Sequence, residues 1–151
     1  KEDATETQMK EALREVNLSD FVEKSGGLDF VLLEKASNLS GGQKQRLSLA
    51  RALLHDTPIY IFDEATSNVD VESENDIMAV VRKLAKTKTV LLISHRLANV
   101  VSADQIYVLK DGMIVEKGQH EVLCKEDGYY HRLFRQQSAL EQFGKGAVAN
   151  E

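Results

Sequence analysis

The sequence predicts an α/β fold. Two short apolar runs, Ile59-Tyr60-Ile61-Phe62 and Val90-Leu91-Leu92-Ile93, each end in a polar pair, Asp63-Glu64 and Ser94-His95. Between them Ile77, Val80, Val81 and Leu84 recur at helical spacing, so the unit reads strand, helix, strand, with the two strands parallel. Unbroken hydrophobicity in both runs predicts strands covered on both faces. Parallel strands put both polar pairs at the carboxyl end of one sheet, where open α/β sheets bind ligands. Position alone makes Asp63, Glu64, Ser94 and His95 candidates.

The elements before the first strand are helical. Met9, Ala12, Leu13 and Val16 share one face of a surface helix over Thr5 to Val16, and Ser19-Asp20 starts a shorter one that Ser25-Gly26-Gly27 breaks. An irregular stretch runs to Asn38. Ser40-Gly41-Gly42 then opens a helix with Leu47, Ala50, Leu53 and Leu54 on its apolar side, which should end near His55-Asp56 because Pro58 disfavours helical geometry at Thr57. After the second strand, Ile106 to Leu109 and Met113 to Glu116 flank Asp111-Gly112, a strong hairpin signal. His120 to Leu123 and Tyr129 to Gln137 read as helices, and residues 138–151 as a flexible tail.

Composition narrows the class. The chain has 151 residues with 42% hydrophobic and 28% charged side chains, enough for one ordinary core. Its net charge of −5 argues against a nucleic-acid module, which carries a basic footprint. Cys124 is the single cysteine, so no internal disulfide forms and the fold rests on packing in a reducing compartment or is indifferent to redox, with the cytosol as the default expectation. The apolar runs fall far short of the roughly 20 residues of a membrane span, so the chain itself is expected to be soluble. The opening Lys1-Glu2-Asp3 has neither an initiator methionine nor a signal peptide, and reads as a cut in a longer chain.

Three places can carry chemistry. A glycine-rich turn at a helix start, such as Ser40-Gly41-Gly42, offers free N–H groups and the positive dipole end to a phosphate; equally, Ser40 can simply cap the helix. Asp63 suits a hydrated Mg²⁺, and Glu64 beside it can deprotonate an attacking water, or the two are solvated carboxylates at a strand end. His95 can hydrogen-bond a terminal phosphate or be a structural histidine. A Ser94, His95 and Asp63 hydrolase triad is disfavoured, because neighbouring strand-end residues point apart and no G-x-S-x-G elbow is present.

Taken together, Leu39-Ser40-Gly41-Gly42-Gln43, Ile59 to Glu64, Ser67-Asn68-Val69-Asp70 and Ser94-His95-Arg96 stand in the order and spacing of ATP-binding cassette (ABC) ATPases, which the chain resembles over about residues 25–137. Lys110-Asp111-Gly112, Ile114-Val115-Glu116, Gly118, His120-Glu121 and Gly128-Tyr129-Tyr130 look like the exporter branch. The resemblance implies a partial P-loop-type sheet with flanking helices, in which 1–57 form the helical signature region, 58–137 the Walker B to switch-histidine and C-terminal region, and 138–151 the tail. It implies ATP and Mg²⁺ as ligands. Ser40, Gly41, Gly42 and Gln43 would contact the terminal phosphate of ATP held mainly by a second cassette, Asp63 would bind Mg²⁺, Glu64 would be the general base, His95 would contact the γ-phosphate, and Asp70 would help couple the two sites. The implied partners are a second nucleotide-binding domain and a membrane-spanning transport domain, at the cytoplasmic face of a membrane.

Two departures and one omission qualify this. Asn68-Val69 replaces a frequent Ala-Leu, and Leu32-Leu33-Glu34 only partly matches the exporter segment before the signature. No G-x-x-x-x-G-K-[ST] loop occurs, so the chain alone is expected not to turn over ATP. The alternative is a non-catalytic module that donates a signature surface to a partner's ATP site. The strand that carries that loop belongs to the same sheet as Ile59 to Asp63, so the chain should expose a bare strand edge or an apolar patch. Dimers or larger species are therefore expected in sedimentation, and a compact monomer that binds no hydrophobic dye would contradict this.

Overall fold

The computed structural model describes residues 3–67 and 69–148, with side chains described through Leu140. The chain divides into two compact units, Lys1–Ile93 and Ser94–Glu151, with the break at the end of the second strand. Each unit closes its own core.

In the first unit, α1 (Glu6–Glu15), α2 (Ser19–Lys24) and α3 (Gly41–His55) precede β1 (Ile59–Asp63), and α4 (Val71–Leu84) crosses over to β2 (Thr89–Ile93). The helix starts are chemically marked. Thr5 with Gln8, and Ser40 with Gln43, form reciprocal capping boxes in which each cap hydroxyl accepts the N–H three residues on and each glutamine side chain accepts the cap's own N–H. α3 ends on Asp56 in the left-handed conformation, followed closely by Pro58. Lys88 pairs with the Asp56 carboxylate at 2.8 Å, and that hydrogen bond raises the lysine pKa above its ordinary value.

β1 and β2 pair in parallel, with Ile59 opposite Thr89 and Asp63 opposite Ile93. Alternate residues project to opposite faces. Tyr60 and Phe62 are buried with Ile77, Met78, Val80 and Val81 of α4, and with Leu49 and Ala50 of α3 and Leu13 and Val16 from α1 and its C-cap. Fully burying a side chain such as Ile77 contributes about 2 kcal/mol. The expectation of strands covered on both faces holds for one face only: Ile59, Ile61, Leu91 and Ile93 stand on the other, 57%, 65%, 50% and 47% exposed. Among the described strands β1 and β2 pair only with each other, so both outer edges of this sheet are bare. This is the apolar patch the sequence predicts.

The second unit holds the hairpin β3 (Ile106–Lys110) and β4 (Met113–Gly118), then α5 (His120–Lys125) and α6 (Tyr129–Val148). Asp111 and Gly112 both take positive φ, 51° and 77°, as a two-residue hairpin turn requires. Ile106, Val108, Leu123 and Tyr130 make the core. Tyr130 shares a hydrogen bond between its hydroxyl and His120 Nδ1 at 2.9 Å, and burial pushes its pKa up to about 12, with Cys124 adding to the effect. α6 continues to Val148 through the stretch expected as a tail, and residues 149–151 lie outside the described residues.

α6 starts where Glu116 of β4 reaches it. Its two carboxylate oxygens accept the N–H groups of Tyr129 and Tyr130, the latter at 2.9 Å. A Cβ on Gly128 would lie 2.3 Å from one of those oxygens, so Gly128 is glycine because the carboxylate occupies that space. Gly128→Ala and Glu116→Ala are each expected to lower the unfolding free energy of this unit by about 1–2 kcal/mol, the worth of a helix cap. Because both act on one cap, denaturant melts of the double variant should show a loss well short of the sum. Additive losses would mean that the two residues act separately.

Candidate functional site

Ser40 faces solvent at the N-cap of α3, with Gly41 exposed and Gly42 buried behind it. Its Oγ accepts from Gln43 N–H at 3.2 Å, and Gln43 Oε1 accepts from Ser40 N–H at 2.9 Å. The capping alternative is therefore realised. It leaves the Ser40 hydroxyl hydrogen and the first N–H groups of the helix, which have no intrahelical acceptor, directed at whatever approaches the helix end. An anion is favoured there by the helix dipole.

Behind this turn lies the start of α4. Asp70 caps α4, accepting from Ser73 N–H and from Ser73 Oγ–H, both at 2.8 Å. These bonds, with the backbone one the larger, hold its carboxyl below the ordinary carboxylate pKa. A Cβ added to Gly42 would sit 2.1 Å from Ser73 Oγ and 3.2 Å from Asp70 Oδ2. The two helix starts thus meet at a point only glycine permits. Arg46, one turn along α3, ties them further by donating to Asp76 Oδ2 of α4 at 3.0 Å and to the Asn17 carbonyl at 3.1 Å, while Asn17 Nδ2 donates to Asp76 Oδ1 at 2.9 Å.

Asp63 and Glu64 stand exposed at the carboxyl end of β1. Glu64 has a left-handed backbone with φ of 47°, a conformation that costs about 1–2 kcal/mol for a residue with a Cβ. Two hydrogen bonds hold it there: its N–H donates to the Ile93 carbonyl at 3.0 Å and its carbonyl accepts from Ser67 N–H at 2.9 Å. The chain consequently turns sharply off the strand, with its carboxylate at the strand end. Backbone strain of this kind clusters at active sites and ligand clamps. Asp63, exposed at the strand end, offers a single carboxylate of the kind that a cation keeping most of its waters, such as Mg²⁺, takes. Asn68 lies outside the described residues.

His95 belongs to the second unit and is placed by that unit's own contacts. Ser94 Oγ accepts Arg96 N–H at 3.0 Å and donates to the Arg96 carbonyl at 3.1 Å. The serine hydroxyl is engaged in the turn, which leaves a triad without its nucleophile-to-base bond. Gln137 of α6 donates from Nε2 to the His95 carbonyl at 2.9 Å and accepts Leu97 N–H on Oε1 at 2.6 Å. His95 is exposed between these two anchor points.

The structure therefore brings Ser40 to Gln43 together with Asp70, and sets Asp63 and Glu64 at the carboxyl end of β1. Sequence reasoning missed Ser73, Arg46 and Gln137. Ser73 was recoverable as the third residue after a capping aspartate; Gln137, 42 positions from His95, was not.

A family profile described as ABC transporter matches residues 1–67. An uncharacterized ABC transporter ATP-binding protein of Haemophilus influenzae is 52% identical over 147 residues, covering 97% of this chain and 26% of that protein. An ATP-dependent lipid A-core flippase of Vibrio cholerae is 47% identical over 132 residues, or 87% of this chain and 23% of that protein. The solved structure of a bacterial Atm1-family ABC exporter with ATP bound superposes with a TM-score of 0.83 at 35% identity, over 91% of this chain and 24% of that one. The chain spans about a quarter of the length of these relatives. It belongs to the ABC transporter family and carries part of an exporter-type ATP-binding cassette.

Proposed function

We propose that the chain forms the signature and Walker B portion of an exporter cassette whose ATP hydrolysis drives transport across a membrane. The observation that carries this reading is the turn at Glu64, where a carboxylate is held at the carboxyl end of a parallel strand by two backbone hydrogen bonds. The names of the relatives support it, being those of an ATP-binding protein and an ATP-dependent flippase.

In this reading Ser40 Oγ–H and the N–H groups of Gly41 and Gly42 donate to terminal phosphate oxygens of an ATP held by a second cassette, and Gln43 contacts the same phosphate. Glu64 accepts the proton of the attacking water. His95 donates to the γ-phosphate, and Asp70, packed against Gly42, transmits the state of one site to the other. Asp63 would hold Mg²⁺, which when bound would offset the charge that develops on the phosphates. A bare edge of this sheet is where the strand bearing the phosphate loop would pair, and the uncovered face of Ile59, Ile61, Leu91 and Ile93 would be covered by the elements that come with it.

The test is Mg-ATP hydrolysis by the chain alone and mixed with the segment of its gene that encodes the phosphate loop. Turnover in the mixture only is the expected result. A well-folded mixture without turnover would move the reading to a module that donates its signature surface to a partner's site. Among the described residues no helix is long and apolar enough to cross a membrane, and in this reading the membrane-spanning partner is a separate segment.

A further inference from the structure

The carboxamide of Gln137 is the contact that fixes the backbone around His95. It bridges the residue's own carbonyl and the N–H two positions later, at 2.9 and 2.6 Å. Only one orientation of the amide satisfies both, since the carbonyl needs a donor and the N–H an acceptor. Ser94 Oγ closes the same turn from the other side through Arg96. His95 is thereby held between two backbone anchors while its side chain is exposed. Gln137 is itself fixed, because it lies two turns along α6 from Tyr130, whose side chain is buried and whose N–H is capped by Glu116. From Tyr130 to Gln137 the helix rises about 10 Å, a rigid spacer between the hairpin and the histidine turn.

We propose that Gln137 is a positioning residue for His95 in ATP hydrolysis, and that α6 thereby sets the geometry in which the imidazole meets the γ-phosphate. This rests on the reading of His95 given above. Gln137 touches backbone, not nucleotide, so its loss should leave ATP affinity intact and slow turnover. Gln137→Glu keeps the acceptor for Leu97 N–H but sets a carboxylate against the His95 carbonyl, so it should fail as Gln137→Ala does.

The experiment measures kcat and KM for Mg-ATP in the active mixture with Gln137→Ala, Gln137→Glu, His95→Ala and the double variant, beside amide hydrogen exchange of the chain. The expected result is a fall in kcat of about ten-fold for either Gln137 variant with KM within two-fold. Exchange at Leu97 N–H should rise in Gln137→Ala with protection in β3 and β4 unchanged, and Gln137→Ala should add less than two-fold to the loss from His95→Ala. Wild-type kcat in Gln137→Ala, or an independent ten-fold loss on top of His95→Ala, would overturn the proposal. So would collapse of protection throughout the hairpin, which would make Gln137 a folding residue. Full turnover in His95→Ala would instead refute the role of His95, and this proposal with it.

Discussion

Glu64→Gln is expected to lower Mg-ATP turnover in the reconstituted mixture by about 10²–10⁴-fold, the usual worth of a positioned general base. The same change should leave folding untouched. What holds residue 64 in its left-handed turn is the backbone, through Ile93 and Ser67, and glutamine makes those bonds equally well. The side chain is exposed, and a near-isosteric change at such a position usually costs less than about 0.5 kcal/mol. The separation is the informative part: thermal melts that coincide within about 1 °C, together with a loss of turnover, place the effect on proton transfer and not on the strand end. Asp63→Asn should behave differently, with the loss partly recovered at high Mg²⁺, because it weakens the hold on the ion and leaves the base in place. A Glu64→Gln mixture within two-fold of the parent would show that the base lies elsewhere. A large drop in melting temperature would show that the turn depends on the carboxylate after all.

Much of this was legible in the sequence because it is written in local chemistry. Ser40 with Gln43, and Thr5 with Gln8, are capping boxes readable at a spacing of three. Asp111-Gly112 specifies its turn by itself, and the two apolar runs could be little other than strands of a crossover unit. The apolar runs also misled. Unbroken hydrophobicity reports that a strand will be covered on both faces in the complete sheet, and the sequence cannot say whether the covering is in the same chain. Here Tyr60 and Phe62 are buried and Ile59 and Ile61 are not.

The division into two units at Ile93 was hidden for a related reason: composition does not change there, and only the pattern of contacts does. α6 beyond Gln137 was missed because Gly144 and Gly146 lower helix propensity, a weak prior that does not by itself end a helix. The site residues named from motif order sit at element ends, where backbone geometry is most specific. Those that hold them, Ser73, Arg46 and Gln137, are ordinary polar residues whose roles arise from packing between distant segments. Gly42 shows the same contrast within one residue, since its glycine is read from sequence as a phosphate turn and from structure as a contact between helices.

That second role gives the other large effect expected. Gly42→Ala should destabilise the first unit by about 2 kcal/mol, roughly a thirty-fold shift in its folding equilibrium, although alanine favours a helix over glycine by about 1 kcal/mol. The new methyl would lie 2.1 Å from Ser73 Oγ and 2.6 Å from Ser73 Cβ, distances no packed structure sustains. Ser73 cannot rotate away without losing its hydroxyl bond to Asp70, so α3 and α4 must part at their starts. That separation would also shift the N–H groups offered at Ser40 to Gln43, so turnover in the mixture should fall together with stability. Ser73→Gly removes both clashing atoms, and in its presence Gly42→Ala should cost far less, a coupling of about 1–2 kcal/mol in a double-mutant cycle. If Gly42→Ala instead stabilises the chain, propensity alone decides at this position and the close approach of the two helices is not what glycine serves. If it destabilises the parent chain and the Ser73→Gly variant equally, the strain lies along α3 itself, and Asp70 is not linked to the signature turn through this contact.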